Sequence, residues 1–583
     1  MTRKGALSLA VGVLAAIAAP LLAGLDDGPQ QQPADLVLRH GRVVTVDPAI
    51  PEAQAVAFAG DRILAVGTDA EIARLIGPKT EVIDLGGKLA IPGFVESHGH
   101  FLDVGQAKMI LDLTKAQSWG DIVSLVEAAA KKAEPGAWIT GRGWHQERWK
   151  QVPEPNVDGV PLHHELSRVS PANPVLLDHA SGHAAFANAK ALELAGVTKD
   201  TANPPGGEVV RDAQGNPTGL LRETAQGLVI AALEKAQAGR DPRLVETEMR
   251  RRVELAGQEA LSKGVTSFHD AGSPFVAIDF FKRLADEGKL PVRLYVMVRR
   301  ETNEAMAEKL AKYRTIGYGN HFLTVRSIKR QIDGALGAHG ALLLAPYLDL
   351  PGSTGLTLED PAEIRRTLEI AIQNGFQVNT HAIGDRANRE MLDLYEQVFR
   401  AHPDKKDLRW RIEHAQHLHP DDVPRFAKLG IIASMQGIHA TSDGPWVLKR
   451  LGPERAKSGA YVWRSLIDSG AIIANGTDTP VEDIDPIACF YATVTRRMAN
   501  GELFYPAQKM TREEALRSYT LNGAYAAFEE DVKGSITPGK LGDVVVLSKD
   551  IMKIPDTEIP TAKVVLTILG GKVRWRSPES PQH

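Results

Sequence analysis

One cysteine, Cys489, is all the thiol that this 583-residue chain carries. That excludes an internal disulfide framework and any zinc site built on thiolates, so a bound metal would have to use His, Asp, Glu or a modified Lys. A dominant charge of one sign is missing as well. The 68 basic and 72 acidic residues leave a formal charge of −4, with no long block of like charge. Such a balance gives no electrostatic footprint for nucleic acid or for an anionic membrane surface, and directs attention to small-molecule partners. Beyond the N-terminus there is no apolar run long enough to span a bilayer.

The one long apolar run opens the chain. Arg3 and Lys4 precede Ala6 to Ala23, Ala16-Ile17-Ala18 or Ala19 to Ala23 offers small residues for cleavage, and a polar, Pro-rich stretch from Asp26 to Pro33 follows. Residues 1–25 thus read as a signal peptide, and the mature protein is expected to be exported, periplasmic or extracellular. The alternative is an uncleaved N-terminal membrane anchor. No cysteine stands at the end of the apolar run, so a bacterial lipoprotein anchor is excluded.

What remains divides by periodicity. From Asp35 to Leu85, short β-rich runs such as Leu36-Val-Leu38, Arg42 to Val46, Ala55 to Phe58 and Arg62 to Val66 alternate with Gly and Asp turns. The same texture returns only in Asp543 to Leu547 and Lys563 to Leu569. A β-sandwich assembled from both chain ends, residues 34–90 and 531–576, is therefore expected. Between them strands and helices alternate. Asp360 to Gly375 shows the unit: Asp360 caps, Pro361 suits the first turn, Glu363 reaches back, Ile364, Leu368, Ala371 and Ile372 form one apolar face, and Gly375 stops the helix. Strands are expected at Ile91 to His100, Val265 to Phe268, Val292 to Val298, Leu323 to Ile328, Phe376 to Thr380, Leu408 to Glu413, Ile431 to Met435 and Ala471 to Asn475. Eight strands with helical crossovers predict an α/β fold, a (β/α)₈ TIM-type barrel over residues 91–530. About 160 residues separate Phe101 from Gly264, far more than a barrel loop and helix need. They include strand-like Ala137 to Thr140 and Pro174 to Leu177, so an inserted subdomain is expected over about 104–260, above the barrel mouth.

The apolar stretch Ile91-Pro-Gly-Phe-Val-Glu-Ser-His-Gly-His100 ends on two histidines that point the same way, with Gly99 leaving room between them. Alone the signal is weak: 18 histidines in this length supply about half of one His-x-His by chance, and His417 and His419 make a second, placed beside Pro420 where a solvated loop or a supporting role is expected. Position gives the first pair its weight. His381, His414 and Asp478 also follow apolar strands, so a closed barrel brings all five to one mouth. His and carboxylate donors of this kind suit a divalent metal, zinc foremost.

These residues, with Gly141-Arg-Gly-Trp144, Asp333-Gly-Ala-Leu-Gly337, Asn379 to Asp385, Arg411 to Gln416, Gly476 to Glu482 and Lys533 to Asp543, resemble the amidohydrolase superfamily. The resemblance is to the branch that includes N-substituted formamide deformylases and YtcJ-like proteins, and it spans Asp35 to Trp575. It implies a barrel with a composite β-sandwich, a divalent metal centre and hydrolysis of an amide or other C–N bond. Carried over by position, His98, His100, His381 and His414 bind metal, and Asp478 is both ligand and general acid/base. Lys329 matches a lysine that many members carbamylate to bridge two metals, a modification that needs a neutral amine; an unmodified Lys329 paired with Asp333 is the alternative. The chain departs from the branch where Trp144 is followed by His145, and where His339 stands in Gly337-Ala-His-Gly340. Trp144, His145 and His339, with His183 and Asn188 of a further matching segment, are expected either to contact substrate or to serve packing. The resemblance also admits a deaminase or lactone hydrolase on the same scaffold. A non-catalytic binding or regulatory protein is the contrary reading.

Overall fold

The apolar stretch ending at His100 is shared between two sheets. In the computed structural model, which describes residues 32–578, Leu89–Pro92 pairs with the C-terminal strand Val544–Leu547, and the chain then enters the barrel at Phe94–Gly99. Gly93 marks the crossing. A Cβ there would stand 2.3 Å from the Thr266 hydroxyl, so only glycine lets the two sheets approach.

Eight strands run parallel in sequential order: β1 Phe94–Gly99, β2 Val265–Ser273, β3 Arg293–Val298, β4 Leu323–Gln331, β5 Gln377–Ala382, β6 Arg411–His414, β7 Ile432–Gln436 and β8 Ile473–Gly476. Their residues are buried almost throughout, as helices on the outside and side chains on the inside demand of a parallel sheet. The barrel is nearly closed. Between β8 and β1 the ladder narrows to a bridge of Gly99 with Thr479, beside which the Asp478 N–H donates to the His98 carbonyl at 2.8 Å and the His100 N–H to the Thr479 carbonyl at 2.8 Å.

The helix Pro361–Asn374 shows how the crossovers are specified. Asp360 accepts from the Ala362 N–H at 2.8 Å, and Gly375 ends the helix at φ +67°, a left-handed conformation that glycine adopts freely. Glu363 does not close a capping box: its carboxylate accepts from the Asn303 side chain at 2.8 Å, tying this helix to its neighbour.

A six-stranded sheet takes strands from both chain ends, in the order Lys572–Arg576, Val564–Leu569, Val544–Leu547, Leu89–Pro92, Arg42–Val44, Glu52–Ala53. A four-stranded sheet of Arg62–Gly67, Ala55–Ala59, Leu36–Arg39 and Glu81–Asp84 packs on it through Leu38, Phe58 and Ile83 against Val544, Val546 and Leu566. Between β1 and β2 a further six-stranded sheet, from Leu111–Asp112 to Pro217–Glu223, holds its own core around Trp119, Trp144, Trp149 and Phe186. The export signal lies outside the described residues, among which no helix is long and apolar enough to cross a membrane.

Candidate metal centre and active site

Every second residue of β1 faces the barrel axis, which sends Glu96 and His98 inward and places His100 just beyond the strand. His98 is fully buried, and its Nδ1 meets the Glu413 carboxylate. Glu413 is in turn gripped by Arg411, whose Nε lies 2.7 Å from Oε1, while Arg411 Nη2 donates to the Ser97 carbonyl at 2.6 Å and to the Ser434 hydroxyl at 2.8 Å. Burial alone would raise the Glu413 carboxyl, but Arg411 and His98 outweigh it and hold it well below the usual range. A histidine braced at Nδ1 by a carboxylate presents Nε2 as a lone pair, the form a metal needs. His414 is prepared in the same way, its Nδ1–H donating to Gln436 Oε1 at 2.8 Å.

The rings of His98 and His414 lie 4.7 Å apart, and those of His414 and His381 4.4 Å. Burial holds all three imidazoles below their ordinary pKa, His98 at about 4, so each is neutral near pH 7. Asp478 Oδ1 stands 3.3 Å from His100 Nε2 and 3.5 Å from His98 Nε2. Burial would raise this carboxyl, yet the facing His100, His98 and His414 keep it well below 3.8. Two of these candidate ligands have left-handed backbones, His414 at φ +76° and Asp478 at +57°, a strain that folds keep at working sites. Glu96 locks the seam beneath them, accepting from the Thr477 N–H at 2.7 Å and hydroxyl at 2.9 Å, and burial pushes it up to about 8.

Lys329, near the end of β4, is buried with its Nζ 3.4 Å from His98 Nε2. Burial first, then the Arg299 guanidinium, lower its pKa to about 7, so a neutral amine is accessible. Asp333 has other partners: it accepts from the Leu342, Ile383 and Gly384 N–H groups at 2.8, 3.0 and 2.8 Å, and His381 Nε2 lies 3.5 Å away.

The donor set suits a cation. Ligand atoms of His98, His414 and Asp478 lie within 4.8 Å of one another, and the buried His381 Nε2 and Asp478 Oδ1 have no hydrogen-bond partner among the described residues. Two cavities meet at this wall. One, of about 360 Å³, runs from His381, His414 and Asp478 to His145, His439 and Trp446; the other, of about 610 Å³, contains His100, Lys329, Arg299 and Glu223. His183 borders both.

The structure thus gathers His98, His100, Lys329, His381, His414 and Asp478 at one mouth, with His183 beside them and His145 on the far wall. It does not bring Trp144 or His339 there. Trp144 is buried in the core of the inserted sheet, its Nε1–H donating to the Leu177 carbonyl at 2.8 Å, and His339 pairs with Asp349 at 3.2 Å beneath Tyr347. Asn188 caps a helix, accepting from the Ala191 N–H at 2.9 Å. Of the second His-x-His, His419 is at the surface, but His417 is buried against Tyr461 rather than in a solvated loop. Sequence reasoning missed Glu413, Arg411, Gln436 and Glu223. Glu413 precedes His414, whose backbone is left-handed at φ +76°, and because neighbours on a strand ordinarily face opposite ways, nothing in the sequence marks both for one site.

Comparisons agree with this architecture. The chain matches the model described as the amidohydrolase family over residues 81–574. "Protein LONG AFTER FAR-RED 3" of Arabidopsis thaliana is 34% identical over 92% of this chain and 91% of its own length. The N-substituted formamide deformylase of Arthrobacter pascens is 28% identical over 93% and 99%. The crystal structure of an uncharacterized metal-dependent hydrolase from Pyrococcus horikoshii OT3 superimposes with a TM-score of 0.71 at 25% identity, covering 90% of this chain and 99% of that one. This chain belongs to the amidohydrolase family.

Proposed function

We propose that this protein is an exported, metal-dependent hydrolase of a C–N bond in an amide-type small molecule, an N-substituted formamide being the leading candidate substrate. The observation that carries the reading is the meeting of the His98, His414 and Asp478 ligand atoms within 4.8 Å at the mouth of the barrel. His100, His381 and Lys329 complete the set, and the relative from Arthrobacter pascens, named for N-substituted formamides, supports the substrate class. Zinc fits the nitrogen and oxygen donors, one ion or two, and a carbamate on Lys329 would supply the bridge for a pair.

When bound, a divalent ion there brings water to a reactive state near neutral pH and polarises a substrate carbonyl. Asp478, kept below its ordinary pKa chiefly by the facing His100, takes the proton from water and delivers it to the leaving nitrogen. Glu413 and Gln436 keep His98 and His414 in one orientation throughout. The test is metal analysis of the purified protein, followed by a screen of N-formyl, N-acyl and cyclic amides with product identification. Stoichiometric metal and release of an amine support the reading; bound metal without hydrolysis anywhere in the library refutes it.

A further inference from the structure

Glu223, the last residue of Pro217–Glu223 in the inserted sheet, is buried and has a left-handed backbone at φ +50°. Its Oε2 accepts from His183 Nδ1 at 2.7 Å, and its Oε1 is buried with no hydrogen-bond partner. Two glycines of the barrel loop after β4 lie close to Oε1. A Cβ at Gly334 would stand 2.0 Å from Oε1 and one at Gly340 2.1 Å, and the two glycines are joined by a backbone hydrogen bond of 3.1 Å. Neither has a positive φ, so here glycine supplies room rather than conformational freedom. With Nδ1 committed to Glu223, the ring of His183 lies 5.3 Å from that of His381, at the junction of both cavities.

We propose that Glu223 is a positioning residue of the active centre: clamped between Gly334 and Gly340, it holds His183 against the metal-binding wall so that His183 Nε2 meets the substrate amide. The inference rests on the hydrolase reading for its substrate, and it makes the inserted subdomain part of the catalytic site. The backbone strain at Glu223 fits such a duty, because a strained residue persists where its surroundings fix it.

Acetohydroxamate, which carries a carbonyl beside a metal-chelating oxygen, serves as the probe on the zinc-loaded full chain. In Glu223→Ala, zinc content stays at the wild-type level and acetohydroxamate binding by calorimetry weakens about tenfold, the scale of one lost hydrogen bond. Glu223→Gln keeps an oxygen acceptor facing His183 Nδ1 and stays within about threefold of wild type. Gly334→Ala, which crowds Glu223, weakens binding like Glu223→Ala, and the double variant is no worse than Glu223→Ala alone, because the two changes act on one contact. In metal-free Glu223→Ala, added formate fills the vacated cradle and returns the His183 ring resonances to their wild-type positions; adding Gly334→Ala blocks that return. Wild-type binding by zinc-loaded Glu223→Ala overturns the inference and leaves the hydrolase reading standing. Loss of zinc from Glu223→Ala also overturns it, since His183 would then be supporting ligands rather than substrate. A wild-type chain that takes up no zinc overturns the hydrolase reading first, and this inference with it.

Discussion

At the scale of single residues, the proposed chemistry separates groups that touch the reaction from groups that hold them. Asp478→Asn preserves shape and a metal-facing oxygen but removes the proton acceptor, so turnover falls by at least about a hundredfold while metal content persists; steady-state rates beside metal analysis check this, and near-normal turnover would move the base elsewhere. Lys329→Ala lowers metal content and abolishes activity, and a small carboxylic acid partly restores both by occupying the vacated space. Retention of wild-type metal and rate would make the site mononuclear, built on His98, His100, His381 and Asp478. Glu413→Gln removes the charge that braces His98, and competition with a chelator is expected to report a metal affinity about 10- to 100-fold weaker. Whereas Lys329 stood out only through the family resemblance, the four histidines and Asp478 were legible because each follows an apolar run. Their supports were not, since Glu413, Arg411 and Gln436 act through side-chain bonds across three strands that no spacing within one strand encodes.

At the scale of elements, all eight barrel strands stand where the apolar periodicity places them, displaced by a few residues. The displacements have a direction. β5 runs on to Ala382 and β6 to His414, so the polar residues that appear in sequence to terminate the strands are within them. Hydrophobicity stops where the mouth begins, whereas the hydrogen-bond ladder continues as far as a neighbouring strand accepts it. The helix Phe101–Ala107 shows a constraint equally hidden from periodicity: a Cβ on Gly105 would stand 2.0 Å from the Arg252 carbonyl oxygen of the helix Pro242–Ser262. Gly105→Ala therefore drives two helices apart, with an expected loss of about 1–3 kcal/mol in chemical denaturation and a lower melting temperature. An unchanged midpoint would mean that the helices separate without cost.

At the scale of the whole molecule, the sheet built from the chain ends and the barrel are joined by a buried pair. Arg293, the first residue of β3, meets Asp543 through Nε at 2.7 Å and Nη2 at 3.0 Å, and Asp543 also accepts from the Gly570 N–H at 2.9 Å. Asp543→Ala leaves a buried guanidinium without its counter-charge, and the expected cost is about 3–5 kcal/mol in equilibrium unfolding; a cost below about 1 kcal/mol would show that water reaches Arg293 freely. The proposed export is tested by fractionation: the mature chain, cut after the apolar run, is expected outside the cytoplasm, and an uncut soluble chain within it would refute the signal.

The pairing of Val544–Leu547 with Leu89–Pro92 also sets a timetable. A ribosome that has finished Pro92 must add about 450 residues before Val544 exists, which at about 5–20 residues per second takes about 20 to 90 seconds. Through that interval Leu89–Pro92 presents an unsatisfied apolar edge, open to any other strand that reaches it. The nascent protein is therefore most vulnerable to wrong partners at the segment that leads into its histidine pair, and a chain truncated anywhere before Val544 keeps that edge permanently.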